Sequence, residues 1–415
     1  MFQVGRHAVQ QRKRLDSDNH IETWSLPSLL GGMSTDYFAS DFLDKNYLCV
    51  KGGLGREQAD ALFSLEKLDR IITSSGVNNP QVEVIKNGTV ERSPSLRTAR
   101  GFLNVPYVLS LVNEGCSIRI RSVDDIDPEV ADLCRDLSKE LNANIAANLY
   151  FTPYKQPGFN PHFDDHDVLI VQTAGKKKWK IYSDYEGATA LPPRGQVFEK
   201  EVNAPGHVLD EFVLSVGDVL YIPRGMMHAA SAEDDGSIHL TLSLNWTTWA
   251  EFLFELVATE VMNNDCYRKT ITDVHFRIGD ISGDTLSEAQ KLIQNLSQEE
   301  YIRNCAADIR HSYIQKVKAP TIRSLTSLTQ RAWSMPNSRI RLRNNALYEV
   351  TKNNDDVPEI IVHGENVALG PTGKQLIEEL IGGAELSVGA IIQQHGEESQ
   401  SLVDSLLAAG LVEIC

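Results

Sequence analysis

The 415-residue sequence lacks long apolar runs. Its first residues, MFQVGRHAVQQRKRLD, contain no stretch that could serve as a secretion signal, and no later stretch approaches membrane-spanning length. It also lacks closely spaced cysteines: the six present are scattered without a CxxC pattern, which argues against a disulfide framework or a cysteine zinc site. We therefore expect a cytoplasmic protein with no membrane partner.

Basic residues are scarce. The sequence has 40 Lys and Arg against 56 Asp and Glu, a formal net charge of −16. Because phosphate binding needs an attractive field, nucleic acid is not expected to be the main partner. A basic protein or peptide, or a small anion in a locally basic pocket, fits the charge better. The length exceeds one ordinary core, so two or three domains are expected.

Three kinds of pattern follow one another along the chain. Near the start, Asn87-Gly88 lies between two extended segments and predicts a β-hairpin, and a helix is expected to begin after Asp127. Between about 143 and 249, short strands broken by Gly, Pro and Asp predict an antiparallel barrel or sandwich. Amphipathic helices are then predicted over 250–335.

The tail, from about 340 to 415, combines two strands, three short helices and a last strand, an order that suggests a winged helix. Its final helix carries Glu397, Glu398 and Asp404 and no Lys or Arg. A helix that reads DNA needs basic side chains, so we expect no DNA binding by this unit. A packing or dimerisation role fits it better.

A metal site is indicated by His162, Asp164 and His228. The first two are two residues apart, a spacing that on an extended strand turns both side chains to one face. His228 comes 66 residues after His162 (228 − 162), behind a strand and a Pro-Arg-Gly turn. Two histidines and one carboxylate leave three coordination positions open, an arrangement that suits Fe(II), a chelating co-substrate and dioxygen.

The same segment contains a rival ligand. His166 shares the strand face of His162 and Asp164, whereas Asp165 and Asp167 face the other way. Two further predicted strands, around 144–151 and 238–245, are each polar on one face. That polar face either meets solvent outside the barrel or lines a ligand cavity, and the pattern leaves both open.

The segments PHFDDHDVLIVQTAGKKKWKIY and LSVGDVLYIPRGMMHAA resemble the Jumonji-C ribosomal oxygenases, which hydroxylate side chains of ribosomal proteins. The motif match covers about 145–245; the later units resemble the family in architecture only. The resemblance implies an α+β fold in which a double-stranded β-helix, the cupin or Jumonji-C barrel, precedes a helical dimerisation layer and a C-terminal winged-helix-like domain. The domains would be 1–250, with the barrel core at about 120–250, then 251–338 and 339–415.

The resemblance also implies Fe(II) as the metal, with 2-oxoglutarate and dioxygen as co-substrates. Lys177 matches the basic residue that pairs with the far carboxylate of 2-oxoglutarate in the family, and alternation turns it away from Lys176 and Lys178. Further co-substrate positions are matched by Asn148, Tyr150, His239 and Thr241.

The expected function is hydroxylation of an amino-acid side chain in a protein, with a ribosomal protein as the preferred substrate. One alternative is a hydroxylase of a small molecule or peptide natural product; another is a cupin-like scaffold with a structural metal. A homodimer is also predicted, because the helix that begins near 250 has more apolar surface than one stripe requires. The residues concerned are Phe252, Leu253, Phe254, Leu256, Val257 and Val261.

Overall fold

The computed structural model describes residues 23–74, 81–154, 156–183, 191–195, 205–233, 236–273, 280–317, 336–352 and 357–415. The chain forms two units, Met1–Asn245 and Trp246–Cys415. Part of the predicted helical layer, at 318–335, lies outside the described residues. Within the described part, every helix is too short or too polar to cross a membrane.

The first unit combines six α-helices with eleven strands in its described residues. The helices are α1 (Leu26–Leu29), α2 (Thr35–Asp41), α3 (Arg56–Leu62), α4 (Leu65–Ser74), α5 (Val105–Asn113) and α6 (Pro128–Leu141). The strands are β1 (Leu48–Val50), β2 (Val82–Lys86), β3 (Thr89–Val90), β4 (Ser117–Ile120), β5 (Asn144–Thr152), β6 (Asp167–Ala174), β7 (Lys176–Tyr182), β8 (Val208–Ser215), β9 (Val219–Ile222), β10 (His228–Ala232) and β11 (Ser237–Asn245).

These strands form two antiparallel sheets. The larger has the order β1-β9-β6-β11-β5-β4-β2-β3 and the smaller the order β10-β7-β8. Apolar side chains of both sheets meet in one buried cluster, in which Val168 and Leu220 of the larger sheet pack with Trp179, Ile181 and Leu214 of the smaller. Two sheets packed in this way are the two halves of a cupin barrel, and the predicted barrel is confirmed.

Local sequence explains two of the elements that were predicted. Asn87 and Gly88 both have positive φ, +52° and +76°, as a two-residue turn between β2 and β3 requires. Helix α6 begins after Asp127, whose side chain accepts a hydrogen bond from the Val130 amide, and Pro128 occupies the first turn, where no amide hydrogen is needed. Both elements therefore form where the sequence indicated.

The segment 156–162 extends the smaller sheet without being a regular strand. Pro157 forms a bridge with Ser231, and His162 forms one with His228. The next strand, β6, begins only at Asp167. The expectation that His162 and Asp164 lie on one continuous strand is therefore wrong: only His162 has a strand-like partner, and Asp164 follows in a segment without regular secondary structure.

The second unit contains two groups of elements. Its first helices are α7 (Trp249–Asn263), α8 (Gly283–Leu296) and α9 (Glu299–Lys316). Then follow β12 (Arg339–Leu342), β13 (Tyr348–Lys352), β14 (Pro358–Val362), β15 (Glu365–Ala368), α10 (Gly370–Ile381), β16 (Leu386–Ser387), α11 (Val388–His395), α12 (Glu398–Ala408) and β17 (Val412–Ile414). The strands form two three-stranded sheets, β16-β12-β17 and β13-β14-β15, and one apolar cluster joins them to α10–α12.

Helix α7 leaves much of its apolar surface uncovered. Leu256 is buried, but Leu253, Phe254 and Val257 are 54%, 76% and 43% exposed, and Trp249 at the start of the helix is 80% exposed. Exposed apolar side chains are ordinary when scattered, but a contiguous group marks an interaction surface. The group on α7 is the apolar excess from which the homodimer was predicted.

Candidate metal centre

His162 and His228 lie directly opposite each other across the smaller sheet. Each donates its backbone amide to the carbonyl of the other, with N–O distances of 3.1 and 2.8 Å. Residues paired in this way point their side chains to the same side of a sheet, and the two imidazole centroids are 4.5 Å apart. Backbone pairing thus brings together two histidines that are far apart in the sequence.

Both imidazoles are held in the same orientation. Nδ1 of His162 lies 2.8 Å from the Asn160 carbonyl oxygen, and Nδ1 of His228 lies 3.0 Å from that of Met226. Because a carbonyl can only accept, each Nδ1 carries the proton and each Nε2 presents its lone pair. Burial, followed by the nearby His162, lowers the pKa of His228 to about 4, which keeps this imidazole in the neutral form that binds metals.

Asp164 completes the group. Its Oδ2 lies 3.7 Å from Nε2 of His228, and one ligand atom from each of the three residues falls within 4.8 Å of the others. The Asp164 carbonyl accepts the Gly225 amide at 2.9 Å, which ties the irregular segment that contains Asp164 to the Pro-Arg-Gly turn before His228. Two imidazole nitrogens and one carboxylate oxygen, all facing one point, fit ferrous iron.

The other polar residues of this segment are engaged elsewhere. Nδ1 of His166 lies 2.8 Å from Asp165 Oδ1, and Asp165 also accepts the Gly195 amide. Asp167 is fully buried and accepts hydrogen bonds from the Tyr221 hydroxyl and the Arg224 amide. None of these three acidic or imidazole groups joins the cluster of ligand atoms, so the structure favours Asp164 over His166 as the third ligand.

A cavity extends from the three ligand residues into the barrel. It encloses about 580 Å³, its open mouth included. The residues that line it are Ile85, Ser117, Tyr150, Thr152, Gly158, Phe159, His162, Asp164, Val168, Ile170, Lys177, Trp179, His228, Ala230, His239 and Thr241. Both sheets contribute, so the polar faces of β5 and β11 line the cavity at Tyr150, Thr152, His239 and Thr241.

Lys177 is the buried cation of this cavity. Its side chain is 2% exposed, and Nζ donates to Thr152 Oγ1 at 3.0 Å. Nδ1 of His239 lies 3.4 Å from the same Nζ. Within the described residues no carboxylate lies within ion-pair distance of Nζ, and burial lowers the pKa of Lys177 to about 7. A buried ammonium with only neutral partners is poised to receive an anion.

The neighbouring lysines lie outside the barrel, as alternation requires. Lys176 is exposed, and Lys178 forms an ion pair of 2.6 Å with Glu211 on the surface. The side chain of Lys177 alone enters the cavity among these three residues.

Only some of the remaining predicted co-substrate residues lie in the cavity. Tyr150, His239 and Thr241 line the cavity, whereas Asn148 does not. Asn148 lies on the same face of β5 as Tyr150 but two residues before it, and its Oδ1 accepts the Ser122 amide at 3.1 Å. The amide is therefore used to hold a turn, and the predicted contact of Asn148 with the co-substrate receives no support from the geometry.

Several lining residues were absent from the prediction. Thr152 and Trp179 could have been found, because they lie two residues beyond Tyr150 and Lys177 and so share their strand faces. Gly158 and Phe159 belong to the irregular segment before His162, where no periodicity is present. A Cβ at Gly158 would lie 3.2 Å from the Ala230 carbonyl and 3.7 Å from Lys177 Nζ, so the glycine keeps space beside the lysine.

With this geometry established, the comparison with known families is decisive for the barrel. Residues 124–252 match the model of the JmjC domain. The range includes β5 to β11 and all three candidate metal ligands.

Solved structures share the fold of a larger part of the chain. The ribosomal oxygenase YcfD of Escherichia coli superposes with a TM-score of 0.52 at 15% identity, over 92% of this chain and 98% of that one. Another structure of YcfD, in complex with cobalt and 2-oxoglutarate, gives a TM-score of 0.51 at 14% identity over the same shares. At this identity the likeness establishes the fold.

Relatives by sequence are named bifunctional lysine-specific demethylase and histidyl-hydroxylase NO66. That of Dictyostelium discoideum is 30% identical over 262 residues, which are 60% of this chain and 49% of the relative. That of Drosophila simulans is 33% identical over 190 residues, 44% of this chain and 22% of the relative. The chain thus spans half or less of the length of these relatives. The matches confirm the predicted resemblance to Jumonji-C ribosomal oxygenases.

Proposed function

We propose that this chain is an Fe(II)- and 2-oxoglutarate-dependent oxygenase that hydroxylates an amino-acid side chain in a protein, with a ribosomal protein as the substrate class. The proposal rests on one cavity with two features. His162, Asp164 and His228 lie together at one place in it, and the cation Lys177, which has no carboxylate partner in the described part of the chain, lies at another. A keto acid with a second carboxylate matches both features. The relatives named as protein hydroxylases, and YcfD with 2-oxoglutarate, support the same assignment.

The chain's own residues bind and orient the reactants. The Nε2 atoms of His162 and His228 and one oxygen of Asp164 would hold the iron, with the two Nδ1–H groups fixed by backbone carbonyls. Lys177 would hold the far carboxylate of 2-oxoglutarate by a charge-assisted hydrogen bond. The buried apolar wall of Val168, Ile170 and Trp179 keeps water from that contact.

Bound iron would supply the activation of dioxygen and the oxidation of an unactivated C–H bond. The overall reaction consumes 2-oxoglutarate, dioxygen and the substrate C–H, and yields succinate, carbon dioxide and an alcohol. One oxygen atom of dioxygen enters succinate and the other enters the alcohol.

Replacement of the carboxylate ligand tests the metal centre. Asp164→Ala should abolish Fe(II)-dependent succinate formation, because two imidazoles alone do not complete the ligand set. His166→Ala is the matched control, since His166 contacts Asp165 rather than the ligand cluster, and it should retain turnover. Turnover in Asp164→Ala at the wild-type rate, or loss of turnover in His166→Ala, would mean that Asp164 is not the third ligand.

The substrate class requires a separate experiment. Ribosomal proteins from cells with the wild-type gene, without it, and with Asp164→Ala should be compared by mass spectrometry for the gain of one oxygen. A ribosomal protein oxidised only in the presence of the wild-type gene supports the proposal. Release of formaldehyde from a methylated lysine substrate would indicate demethylation instead.

We further propose three domains: an oxygenase domain at 1–250, a helical layer at 251–338 and a winged-helix-like tail at 339–415. The helical layer would form a homodimer. The exposed apolar side chains of α7 support the dimer. The tail has three helices and two small sheets around one core, and Glu397 and Glu398 at the start of α12 are exposed, which supports packing rather than DNA binding. A cytoplasmic location and a basic substrate fit the net charge of −16.

A further inference from the structure

The larger sheet is irregular next to His239. Along β11, Ile238 pairs with Ala174 and His239 pairs with Gln172, so β6 contributes one additional residue, Thr173, at this point. A bulge of this kind re-aims the neighbouring side chains, and bulges are frequent next to active sites. The Gln172 side chain fixes the irregularity by donating to the Ala174 carbonyl and to Ser237 Oγ.

The imidazole of His239 is held on two sides. It stacks on Tyr150, with ring centroids 5.0 Å apart and planes 5° from parallel, and it meets Trp179 edge to face at 5.5 Å. The ring is 3% exposed. A ring fixed by two aromatic neighbours has little freedom, so its Nδ1 is a rigid acceptor.

The contact between Nδ1 and Lys177 Nζ determines the state of the imidazole. A charged lysine is a donor and cannot accept. Beside the ammonium, Nδ1 of His239 is therefore unprotonated, and the proton of the neutral ring lies on Nε2. Burial, and next the charge of Lys177, lower the pKa of His239 well below its ordinary value, in agreement with that neutral form. Thr152 Oγ1 is the second acceptor, at 3.0 Å.

We propose that His239 is a positioning residue that acts through Lys177: its Nδ1, together with Thr152 Oγ1, holds the Lys177 ammonium at the place where the far carboxylate of 2-oxoglutarate binds. The inference rests on the proposed function and deepens it. It differs from the expectation that His239 contacts the co-substrate itself.

The physical reason lies in the flexibility of lysine. Four rotatable bonds separate Cα from Nζ, and fixing such a side chain on binding costs conformational entropy. Two neutral acceptors remove that freedom before the ligand arrives without neutralising the charge. A carboxylate in place of His239 would also hold the lysine, but 2-oxoglutarate would then have to compete with it.

The test compares two keto acids on the anaerobic Fe(II)-loaded full chain. 2-Oxoglutarate reaches both the metal and Lys177, whereas 2-oxobutyrate has the same keto-acid end and no far carboxylate. His239→Phe keeps an aromatic ring beside Tyr150 but removes Nδ1. This variant should lower the affinity for 2-oxoglutarate by about tenfold, the effect of losing one hydrogen bond to a charged group. The affinity for 2-oxobutyrate should change by less than about twofold.

Two further variants make the result specific. His239→Asn retains an acceptor near the Nδ1 position and should recover most of the lost affinity for 2-oxoglutarate. Ser243→Ala is the matched control: Ser243 lies on the same face of β11 but outside the cavity, where it donates to the Ala146 carbonyl. It should bind both keto acids as the wild type does. The ¹⁵N spectrum of the metal-free protein should show the His239 proton on Nε2.

Each contrary result has a distinct meaning. If His239→Phe lowers the affinity for both keto acids equally, His239 shapes the cavity or contacts the keto acid directly, and the proposal fails. It fails also if His239→Phe binds 2-oxoglutarate like the wild type, or if Nδ1 carries the proton. A wild-type protein that binds 2-oxoglutarate no better than 2-oxobutyrate would instead contradict the proposed function, whatever the variants do.

Discussion

At the scale of single residues, the co-substrate assignment depends most on Lys177. A carboxylate that faces a buried ammonium forms a charge-assisted hydrogen bond, and removal of one partner of a buried ion pair costs about 3–5 kcal/mol. Lys177→Ala should therefore weaken 2-oxoglutarate binding by roughly two to three orders of magnitude. Titration of 2-oxoglutarate into the anaerobic Fe(II) protein measures this loss, and Fe(II) binding itself should persist.

The neighbouring lysines are the controls for that prediction. Lys176 is exposed and Lys178 pairs with Glu211 on the surface, so alanine at either position should change 2-oxoglutarate affinity by less than about threefold. Sensitivity at Lys176 or Lys178 in place of Lys177 would mean that β7 has a different register. If all three variants bind like the wild type, the co-substrate assignment loses its main support beyond the metal ligands.

The state of Lys177 also predicts how 2-oxoglutarate binding depends on pH. Burial lowers the pKa of Lys177 to about 7 in the free protein, and the groups that face it, Thr152, Tyr150 and His239, are neutral. A bound carboxylate favours the ammonium and raises this pKa, so above pH 7 binding takes up a proton. Affinity should therefore fall as pH rises from about 7, by up to about tenfold per unit.

Lys177→Arg separates this effect from other titrations. Arginine keeps its charge at every pH of the experiment, so the fall in affinity above pH 7 should disappear in this variant. Isothermal titration in buffers of different ionisation enthalpy should record proton uptake by the wild type at pH 8 and none by Lys177→Arg. Proton uptake that is equal in both proteins would place the titrating group elsewhere.

At the scale of elements, the alternation of polar and apolar residues and the turn-forming residues between them predicted most of the barrel strands. Alternation correctly separated Lys177 from its neighbours, and the strand before Pro223 placed His228 at the start of β10. These predictions were possible because each depends on residues adjacent in sequence: side chains alternate along a strand whatever that strand pairs with. The polar faces of β5 and β11 could not be assigned to solvent or cavity for the same reason, since that choice depends on distant partners.

The elements that were misjudged depend on pairing between distant segments. His162 reaches the metal site by a backbone bridge to His228, and no local pattern records such a bridge. The extra residue Thr173 in β6 results from the pairing of β6 with β11, which no local pattern records either. Asn148 was assigned to the co-substrate through the family resemblance; in the structure it lies outside the cavity lining, and its side chain accepts the Ser122 amide.

At the scale of the whole molecule, the cavity and the proposed dimer surface belong to different units. All residues that line the cavity lie between Ile85 and Thr241, within the unit Met1–Asn245. The exposed apolar group of α7 lies in the unit Trp246–Cys415. The two properties can therefore be changed separately by substitution, and this independence makes the oligomeric state testable without loss of the metal site.

The last prediction is that the chain is a homodimer in which α7 is buried. Phe254→Glu places a charge within the apolar surface of α7, and burial of an unpaired charge is costly enough to dissociate the dimer. Light scattering at micromolar concentration should give about 92 kDa (2 × 46.2 kDa) for the wild type and about half of that for the variant.

Ser287→Glu introduces the same charge at an exposed polar position of α8 and should leave the dimer intact. Both variants should still bind Fe(II) and 2-oxoglutarate, because no cavity residue is altered. A monomeric wild type would contradict the prediction. If Phe254→Glu lost 2-oxoglutarate binding together with the dimer, the cavity would depend on the second unit, and the independence of the two properties would be wrong.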